Sequence, residues 1–344
     1  MNMVIKTIQR NLLNAALACE FRKNTSTSAR AFFLKMIILP LMIFHLHSCK
    51  NNQEEKNITQ SSEQLWWGPN KSLLPENDSL VKYGYALLSN TSYYLGPKGK
   101  VAQITNGMNC QNCHLYAGTV PWGNNYSGVA ATYPKFRSRS GLIENIPKRI
   151  NDCLERSLNG STIDSNSKEM MAIIAYFKWV GKDVPKDYSP NGKGIMKLPL
   201  LNRPADSLKG SVVFKNKCQR CHGVAGQGQK NPEGYGYVYP PLWGKNSYTT
   251  AAGLYRLSKF AGFVKANMPF EEANYNQPIL TDEQAWDVAA FVNSQPRPFR
   301  EFKEDWPDIS KKPYDHPFGP YADSFSEEQH KFGPFKPIEM AMNK

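Results

Sequence analysis

The stretch "NCQNCH" (109–114) and the stretch "KCQRCHG" (217–223) repeat one pattern, C-x-x-C-H, about a hundred residues apart in a chain of 344 residues. Two thiols at this spacing can reach the two vinyl groups of one porphyrin, and the adjacent histidine can ligate its iron. The alternatives are a zinc knuckle, which requires both distant pairs to share one ion, and a redox CxxC pair, which needs no histidine. The repeat therefore predicts two covalently bound haem c groups, attached at Cys110, Cys113, Cys218 and Cys221 with His114 and His222 on the irons.

Helix-like segments flank both sites. The lead-in segments are "SLVKYGYALLSN" (79–90) and "DSLKGSVVFKNKCQRCHG" (206–223), and each half closes with an amphipathic segment, "SKEMMAIIAYFKWVGK" (167–182) or "LTDEQAWDVAAFVNSQPRP" (280–298). Strand signals are weak. This internal repeat resembles class I cytochrome c, whose first and last helices cross over a haem-binding loop. We therefore expect a mostly α fold of two class I cytochrome c-like domains in tandem, each with one covalently bound haem c.

The closing helices carry clear boundary signals. Ser167 is placed to cap the start of the first helix, and Gly181 to end it. Thr281 and Gln284 form a capping box at the start of the second helix, and Pro296 follows its end.

The domain boundaries follow from composition. We expect an N-terminal cytochrome c domain over residues 65–200 and a C-terminal one over residues 201–300. The join falls in "VPKDYSPNGKGIMKLPLLNRP" (184–204), which is rich in Pro, Gly and Asn. Residues 301–344 contain prolines and aromatics without periodicity, so an irregular tail that wraps over the body is predicted.

The N-terminal region has the pattern of an export signal. A short apolar run within "AFFLKMIILPLMIFHLHSCK" (31–50) follows basic residues and ends at Cys49. This pattern predicts a signal peptide with a lipobox over residues 1–49, with Cys49 as the lipid-modified residue. A plain signal anchor is the alternative. Residues 50–64 are polar and form a tether, so the protein is expected on the periplasmic side or the cell surface, anchored to the membrane by lipid only.

The charge distribution excludes one class of partner. Without residues 1–49, the remaining 36 Lys/Arg and 28 Asp/Glu leave a net charge of about +8. These charges form no Lys/Arg stripe of the kind that a nucleic-acid-binding protein needs. A distributed positive field instead suits small anionic substrates or an acidic redox partner.

The residue opposite each histidine sets the reactivity of a haem iron. In the second half, "KANMPF" (265–270) supplies Met268, 46 residues after His222. A Met-Pro before the last helix is the usual position of the thioether ligand in class I cytochromes, and the alternative is a methionine of the core. Met/His ligation gives a relatively high potential, which suits electron transfer.

The first half offers no Met-Pro and no histidine besides His114. Met170 and Met171 lie on the closing helix, where core packing is expected. Cys153 lies 39 residues after His114, a separation similar to that of the second pair.

Cys153 lies on a predicted helix within "ENIPKRINDCLERSLNG" (144–160), which starts near Asn145, has Pro147 in its first turn and reaches Gly160 just past its end. Every fourth residue is apolar, which makes a core stripe of Ile146, Ile150, Leu154 and Leu158. The adjacent stripe consists of Arg149, Cys153 and Ser157. Positive charge nearby favours the thiolate, but spacing alone leaves two interpretations open, a structural thiol and a functional one.

In combination, several motifs resemble the dihaem thiosulfate dehydrogenases, which are related to the SoxA sulfur-oxidising cytochromes. The resemblance covers roughly residues 75–295. It rests, in order, on "MNCQNCH" (108–114), "YPKFRSRSG" (133–141), "RINDCLERSLNG" (149–160), the second CxxCH and "NMPF" (267–270).

The resemblance implies an enzyme that oxidises two thiosulfate to tetrathionate, or runs in reverse, and passes electrons to an acceptor such as another cytochrome c. It assigns Cys153 as the distal ligand of haem 1, and Arg139, Arg149 and Ser157 to binding of the anionic substrate. Some members have a lysine directly before the methionine of haem 2. Here that residue is Asn267, so steady ligation by Met268 is expected.

Two other functions stay open at this point. One is a non-enzymatic, membrane-tethered dihaem electron carrier. The other is a SoxA-like component that conjugates thiosulfate to the cysteine of a carrier protein.

Overall fold

The computed structural model describes residues 74–343. The predicted signal segment, Cys49 and the tether lie outside these residues. The helices of the described part are α1 (Ser79–Ser89), α2 (Thr91–Leu95), α3 (Leu115–Gly118), α4 (Val129–Thr132), α5 (Ile146–Arg156), α6 (Lys168–Val180), α7 (Ser207–Val213), α8 (Gln219–His222), α9 (Leu257–Asn267), α10 (Asp282–Asn293), α11 (Glu327–Phe332) and α12 (Lys336–Met342). The short strands are β1 (Gly123–Asn125), β2 (Lys135–Arg137), β3 (Leu142–Glu144), β4 (Gly194–Ile195), β5 (Gln229–Lys230) and β6 (Tyr237–Tyr239).

In the first half, α1 and α6 cross at close range. A Cβ at Gly84 would lie 2.0 Å from the carbonyl oxygen of Ala172, so only glycine permits this approach. The side chain of Asp78 caps α1. Ser167 caps α6 by accepting a hydrogen bond from the Met170 N–H, as predicted.

The second half repeats this crossing between α7 and α10. A Cβ at Gly210 would lie 1.9 Å from the carbonyl oxygen of Asp287. Thr281 and Gln284 form the predicted capping box of α10. Two equivalent crossings, each beside one CxxCH site, confirm the prediction of a mostly helical, internally repeated fold.

The strands pair only locally. They form three two-stranded antiparallel sheets within the described residues, β1 with β4, β2 with β3 and β5 with β6. In the hairpin of β2 and β3, Phe136 is opposite Ile143. Met170 is fully buried, as predicted, whereas Met171 is 48% exposed, so its assignment to the core is wrong. The reason is helical geometry, because two consecutive residues of α6 cannot both face α1.

The C-terminal segment differs from the irregular tail predicted for it, because it contains α11 and α12. Ile338 is fully buried, and the ring of Phe335 lies 5.6 Å from that of Trp286 on α10. The amphipathic pattern of these helices is too short to detect by periodicity. Within the described part of the chain, no helix combines the length and hydropathy needed to cross a bilayer.

Candidate active site

A cavity of about 380 Å³, here called the Cys153 cavity, collects the residues that the sequence singled out in the first half. This volume lies within the roughly 300–1,000 Å³ typical of cofactor and ligand sites. The predicted residues that line it are Cys110, Cys113, His114, Arg139, Arg149, Cys153 and Ser157.

Helix α5 presents the thiol to this cavity. The helix begins as predicted, with the Asn145 side chain accepting a hydrogen bond from the Lys148 N–H and with Pro147 in the first turn. Ile150, Leu154 and Leu158 are buried. The predicted neighbouring stripe of Arg149, Cys153 and Ser157 lines the cavity. The helix thus divides its faces between core and cavity.

Burial sets the protonation state of the haem-attachment thiols and of His114. Burial raises the pKa of Cys110 to about 11 and that of Cys113 to about 12. Both thiols are therefore protonated at neutral pH before attachment. Burial also lowers the pKa of His114 to about 4, and its Nδ1 lies 2.6 Å from the carbonyl oxygen of Asn124. A neutral imidazole is the form that ligates a metal.

Two guanidinium groups face the cavity without a carboxylate partner. Neither Arg139 nor Arg149 has a carboxylate within ion-pair distance in the part of the chain that the structure describes. Burial, with Arg156 and Arg149 nearby, lowers the pKa of Arg139 to about 10, so the group is still charged at neutral pH. Cys153 raises the pKa of Arg149, despite burial. These two charges are available to an anion.

Sequence reasoning missed other cations of this cavity. Lys135, Arg137 and Lys193 also line it, as do Arg156, Arg256 and Lys259. Burial, together with Arg137 and Lys193, lowers the pKa of Lys135 to about 8. The signal for Lys135 and Arg137 was present in "YPKFRSRSG", where they flank the exposed Phe136 on strand β2. Lys193 lies within the join between the halves, and local sequence could not place it here.

A second cavity of about 410 Å³, here called the Met268 cavity, holds the residues predicted for the second half. Cys218, Cys221, His222 and Met268 line it. His222 places Nδ1 2.8 Å from the carbonyl oxygen of Pro240, which leaves Nε2 available, and burial lowers its pKa. The rest of the lining is largely apolar.

Asn267 is buried next to Met268, at the end of α9. Its Nδ2 donates to the carbonyl oxygens of Trp122, at 3.1 Å, and Phe263, at 2.9 Å. The residue is thus committed to the protein interior and joins α9 to the first half.

The two cavities share part of their walls. Asn109, Cys113, Tyr248 and Leu254 line both. Tyr248 is buried and donates to Oδ1 of Asn293 at 2.8 Å. The cavities are therefore neighbours, which suits transfer of electrons from one to the other.

The residues present fit two c-type haems better than a zinc ion. Each CxxCH lies at a cavity that also holds the sulfur side chain predicted as its ligand, Cys153 in one and Met268 in the other, and Met108 is a second methionine in the wall of the Met268 cavity. All five cysteines of the described residues are free thiols. No group of three or more His, Cys, Asp or Glu side chains within residues 74–343 is placed to hold a metal ion, which argues against the zinc alternative.

Comparison with protein families identifies the class. Residues 100–185 match the SoxA/TsdA cytochrome c domain, and residues 207–296 match the cytochrome c domain. The protein is a c-type cytochrome with two cytochrome c domains, and such domains imply haem c.

Similar proteins define the family more narrowly. A thiosulfate dehydrogenase of Psychrobacter arcticus is 36% identical over 242 residues, which are 70% of this chain and 71% of that one. One of Allochromatium vinosum is 35% identical over 67% of this chain and 83% of its own. The chain belongs to the thiosulfate dehydrogenase family.

A solved structure agrees with this assignment. A thiosulfate dehydrogenase of Marichromatium purpuratum in its as-isolated form superposes with a TM-score of 0.61 at 27% identity, over 67% of this chain. The match covers 49% of that solved chain, so this chain corresponds to about half of it.

Proposed function

We propose that this protein joins two thiosulfate ions into tetrathionate in the Cys153 cavity and releases the electrons through the Met268 cavity. One observation carries the proposal. The only described cysteine outside the two CxxCH motifs lines the same cavity as His114, together with two arginines free of carboxylate partners.

The lining residues support the proposed cofactor positions. Cys110 and Cys113 attach haem 1, with His114 and Cys153 as its ligands. Cys218 and Cys221 attach haem 2, with His222 and Met268 as its ligands. When bound, each haem c takes up one electron, so the pair matches a two-electron oxidation.

Charge neutralisation by the protein makes the reaction possible. Two thiosulfate dianions repel each other, and Arg139 and Arg149 offset this repulsion in a partly desolvated site where charge pairs are stronger than in water. Ser157 adds a hydroxyl donor one turn from Cys153.

The sulfur chemistry balances in two steps. In the first, the Cys153 thiolate and the sulfane sulfur of one thiosulfate form an S–S bond and lose two electrons, which gives Cys153–S–S–SO₃⁻. In the second, the sulfane sulfur of another thiosulfate attacks the outer sulfur of the adduct. Tetrathionate leaves and the Cys153 thiolate is regenerated, with no further electrons exchanged. The same steps in reverse reduce tetrathionate.

The decisive experiment is a ferricyanide-coupled thiosulfate assay on the wild type and Cys153→Ala. We expect turnover to fall by at least about 10³-fold, the scale of losing a nucleophile, while both haems stay attached by pyridine haemochrome assay. Glu155→Ala is the matched control, because Glu155 lies on the same helix and does not line the cavity. Full activity of Cys153→Ala would contradict the proposal, and absence of wild-type turnover would favour a simple electron carrier.

We also propose that the protein is exported and anchored by lipid at Cys49, with another cytochrome c as its electron acceptor. The sequence pattern before Cys49 and the net positive charge support this location and this partner. Detergent phase partitioning of the wild type and Cys49→Ala tests it. The wild type should enter the detergent phase and the variant should not, and equal partitioning would contradict the anchor.

A further inference from the structure

Residues 299–316 lie beyond the second cytochrome c domain match. This segment contacts the C-terminal end of α5 and the turn after it, where the guanidinium of Arg300 donates to the carbonyl oxygens of Glu155 and Gly160 at 2.7 and 2.8 Å. Three of the arginines that line the Cys153 cavity are in contact with this segment. They are Arg139, Arg156 and Arg256.

Arg156 is neutralised by the segment. Its two terminal nitrogens donate to both carboxylate oxygens of Asp305, at 2.6 and 2.7 Å. Its guanidinium carbon also lies 3.7 Å from the ring centroid of Phe302. Such a bidentate pair fixes both groups and cancels the charge locally. Arg156 is buried, so water does little to compensate its charge. Besides Asp305, the nearest carboxylate is that of Asp152, whose Oδ1 lies 3.8 Å from Nε of Arg156.

Arg256 is neutralised in the same way. Its Nε donates to Oδ1 of Asp315 at 2.8 Å, and its terminal nitrogen donates to the same oxygen. Ser258 donates its N–H and its hydroxyl to the other oxygen of Asp315. Asp315 is fully buried, and this arrangement satisfies both of its oxygens.

Arg139 is held without an ion pair, although the charge of Asp305 acts on it through space. The N–H of Trp306 donates to the carbonyl oxygen of Arg139 at 2.6 Å, and the guanidinium carbon lies 5.7 Å from the indole. The indole Nε1–H donates to Nε2 of His316 at 3.1 Å, which fixes the ring. Burial lowers the pKa of His316 to about 4, so at neutral pH the imidazole is neutral and accepts this hydrogen bond.

The turn that carries Arg139 depends on the same contact. Gly141 has a φ of +68°, and a Cβ there would lie 2.7 Å from Cγ of Pro307. Trp306 itself has a φ of +64°, an unusual conformation for a bulky residue. The turn and the segment are thus closely fitted to each other.

We propose that residues 299–316 select which arginines of the Cys153 cavity bind the substrate. Asp305 and Asp315 neutralise Arg156 and Arg256, and Trp306 is a positioning residue that holds Arg139 in place with its charge free. The inference rests on the proposed function, because thiosulfate is the anion selected. The segment would thus determine substrate specificity from outside both cytochrome c domains.

The first test separates a neutralised arginine from a free one. In Arg156→Gln with Asp305→Asn, both partners lose charge together, so we expect the KM for thiosulfate to stay within about threefold of the wild type. In Arg139→Gln, the KM should rise by about tenfold or more. If the double variant lost as much thiosulfate affinity as Arg139→Gln, Arg156 would be a substrate ligand and the inference would be wrong.

The second test addresses Trp306. We expect Trp306→Ala to raise the KM about tenfold with kcat within about threefold, because the position of Arg139 affects binding in ground and transition states alike. Trp306→Phe, which keeps a ring but loses the bond to His316, should give an intermediate value. Phe299→Ala is the control, since Phe299 is an exposed aromatic of the same segment. An unchanged KM in Trp306→Ala would overturn the positioning role.

A binding measurement keeps this inference distinct from the proposed function. Calorimetric titration with tetrathionate in the Cys153→Ala background, where no covalent adduct can form, should show weaker binding when Trp306→Ala is added, with two haems retained. Failure of the proposed function would appear as absence of wild-type turnover. Failure of this inference alone would appear as normal turnover with equal tetrathionate affinity in both proteins.

Discussion

The Cys153 cavity and the Met268 cavity occupy equivalent places in two copies of one fold, yet they differ in charge and in the sulfur side chains that line them. Each lies beside a helix crossing at a glycine, Gly84 in one half and Gly210 in the other. The Cys153 cavity is ringed by cations, whereas the Met268 cavity is lined mainly by apolar side chains. Under the proposed function, the shared scaffold fixes where each haem is held, and a few lining residues decide whether chemistry or electron transfer takes place there.

The largest effect is expected when the first cavity is given the ligand of the second. Cys153→Met removes the thiolate and supplies a thioether, so turnover with thiosulfate should fall by at least about 10³-fold. The reduction potential of haem 1 should rise, because Met/His ligation raises it. Redox titration followed by absorbance measures this shift. An unchanged potential with retained turnover would contradict the ligand assignment.

A smaller effect follows from removing the free charges of the Cys153 cavity. Arg149→Gln should raise the KM for thiosulfate by about tenfold to a hundredfold, the scale of a desolvated charge-assisted contact. Steady-state kinetics measure it. Arg220→Gln is the matched control, because Arg220 lies within the second CxxCH motif, outside the Cys153 cavity, and pairs with the exposed Glu272. Equal effects of the two variants would mean that long-range charge, rather than the cavity, attracts the substrate.

In the Met268 cavity, loss of the thioether should affect electron transfer and spare substrate binding. Met268→Ala should lower the potential of haem 2 and reduce kcat about tenfold, because a haem of lower potential accepts electrons from haem 1 less readily, with KM unchanged. Potentiometry and steady-state assays report the two quantities. Met171→Ala is the control, because Met171 is an exposed methionine of the first half. A haem 2 potential equal to that of the wild type would remove Met268 as the ligand.

The smallest effect concerns pH. Because the pKa of Lys135 is lowered to about 8, this lysine is charged below pH 8 and neutral above it. The kcat/KM for thiosulfate should therefore fall about twofold to threefold as pH rises through 8, as for loss of a partly exposed charge. In Lys135→Arg the guanidinium keeps its charge, so the decline should disappear. The same decline in that variant would point to another group.

Local signals in the sequence predict much of this site. Helix α5 follows from Asn145, Pro147 and the four-residue apolar spacing, and these same features place Arg149 and Cys153 side by side. The caps of α6 and α10 are also local. Such features depend on residues within one turn of each other, so they need no knowledge of the tertiary fold.

Ion pairs between residues far apart in the chain could not be predicted from such local signals. Arg156 and Asp305 are 149 positions apart, and nothing near either residue indicates the other. The segment that carries Asp305 and Trp306 has no helical or strand period, because its order comes from docking onto α5 and the Arg139 turn. The sequence therefore predicts only some of the arginines that line the cavity, and only the fold shows which of them lack a carboxylate partner.

The central claim is tested most directly by mass spectrometry of the peptide that contains Cys153. After incubation of the oxidised protein with tetrathionate and rapid acid quenching, this peptide should gain the mass of one S–SO₃ group on Cys153, and the gain should vanish in Cys153→Ala. Wild-type turnover without any such adduct on Cys153 would contradict the account.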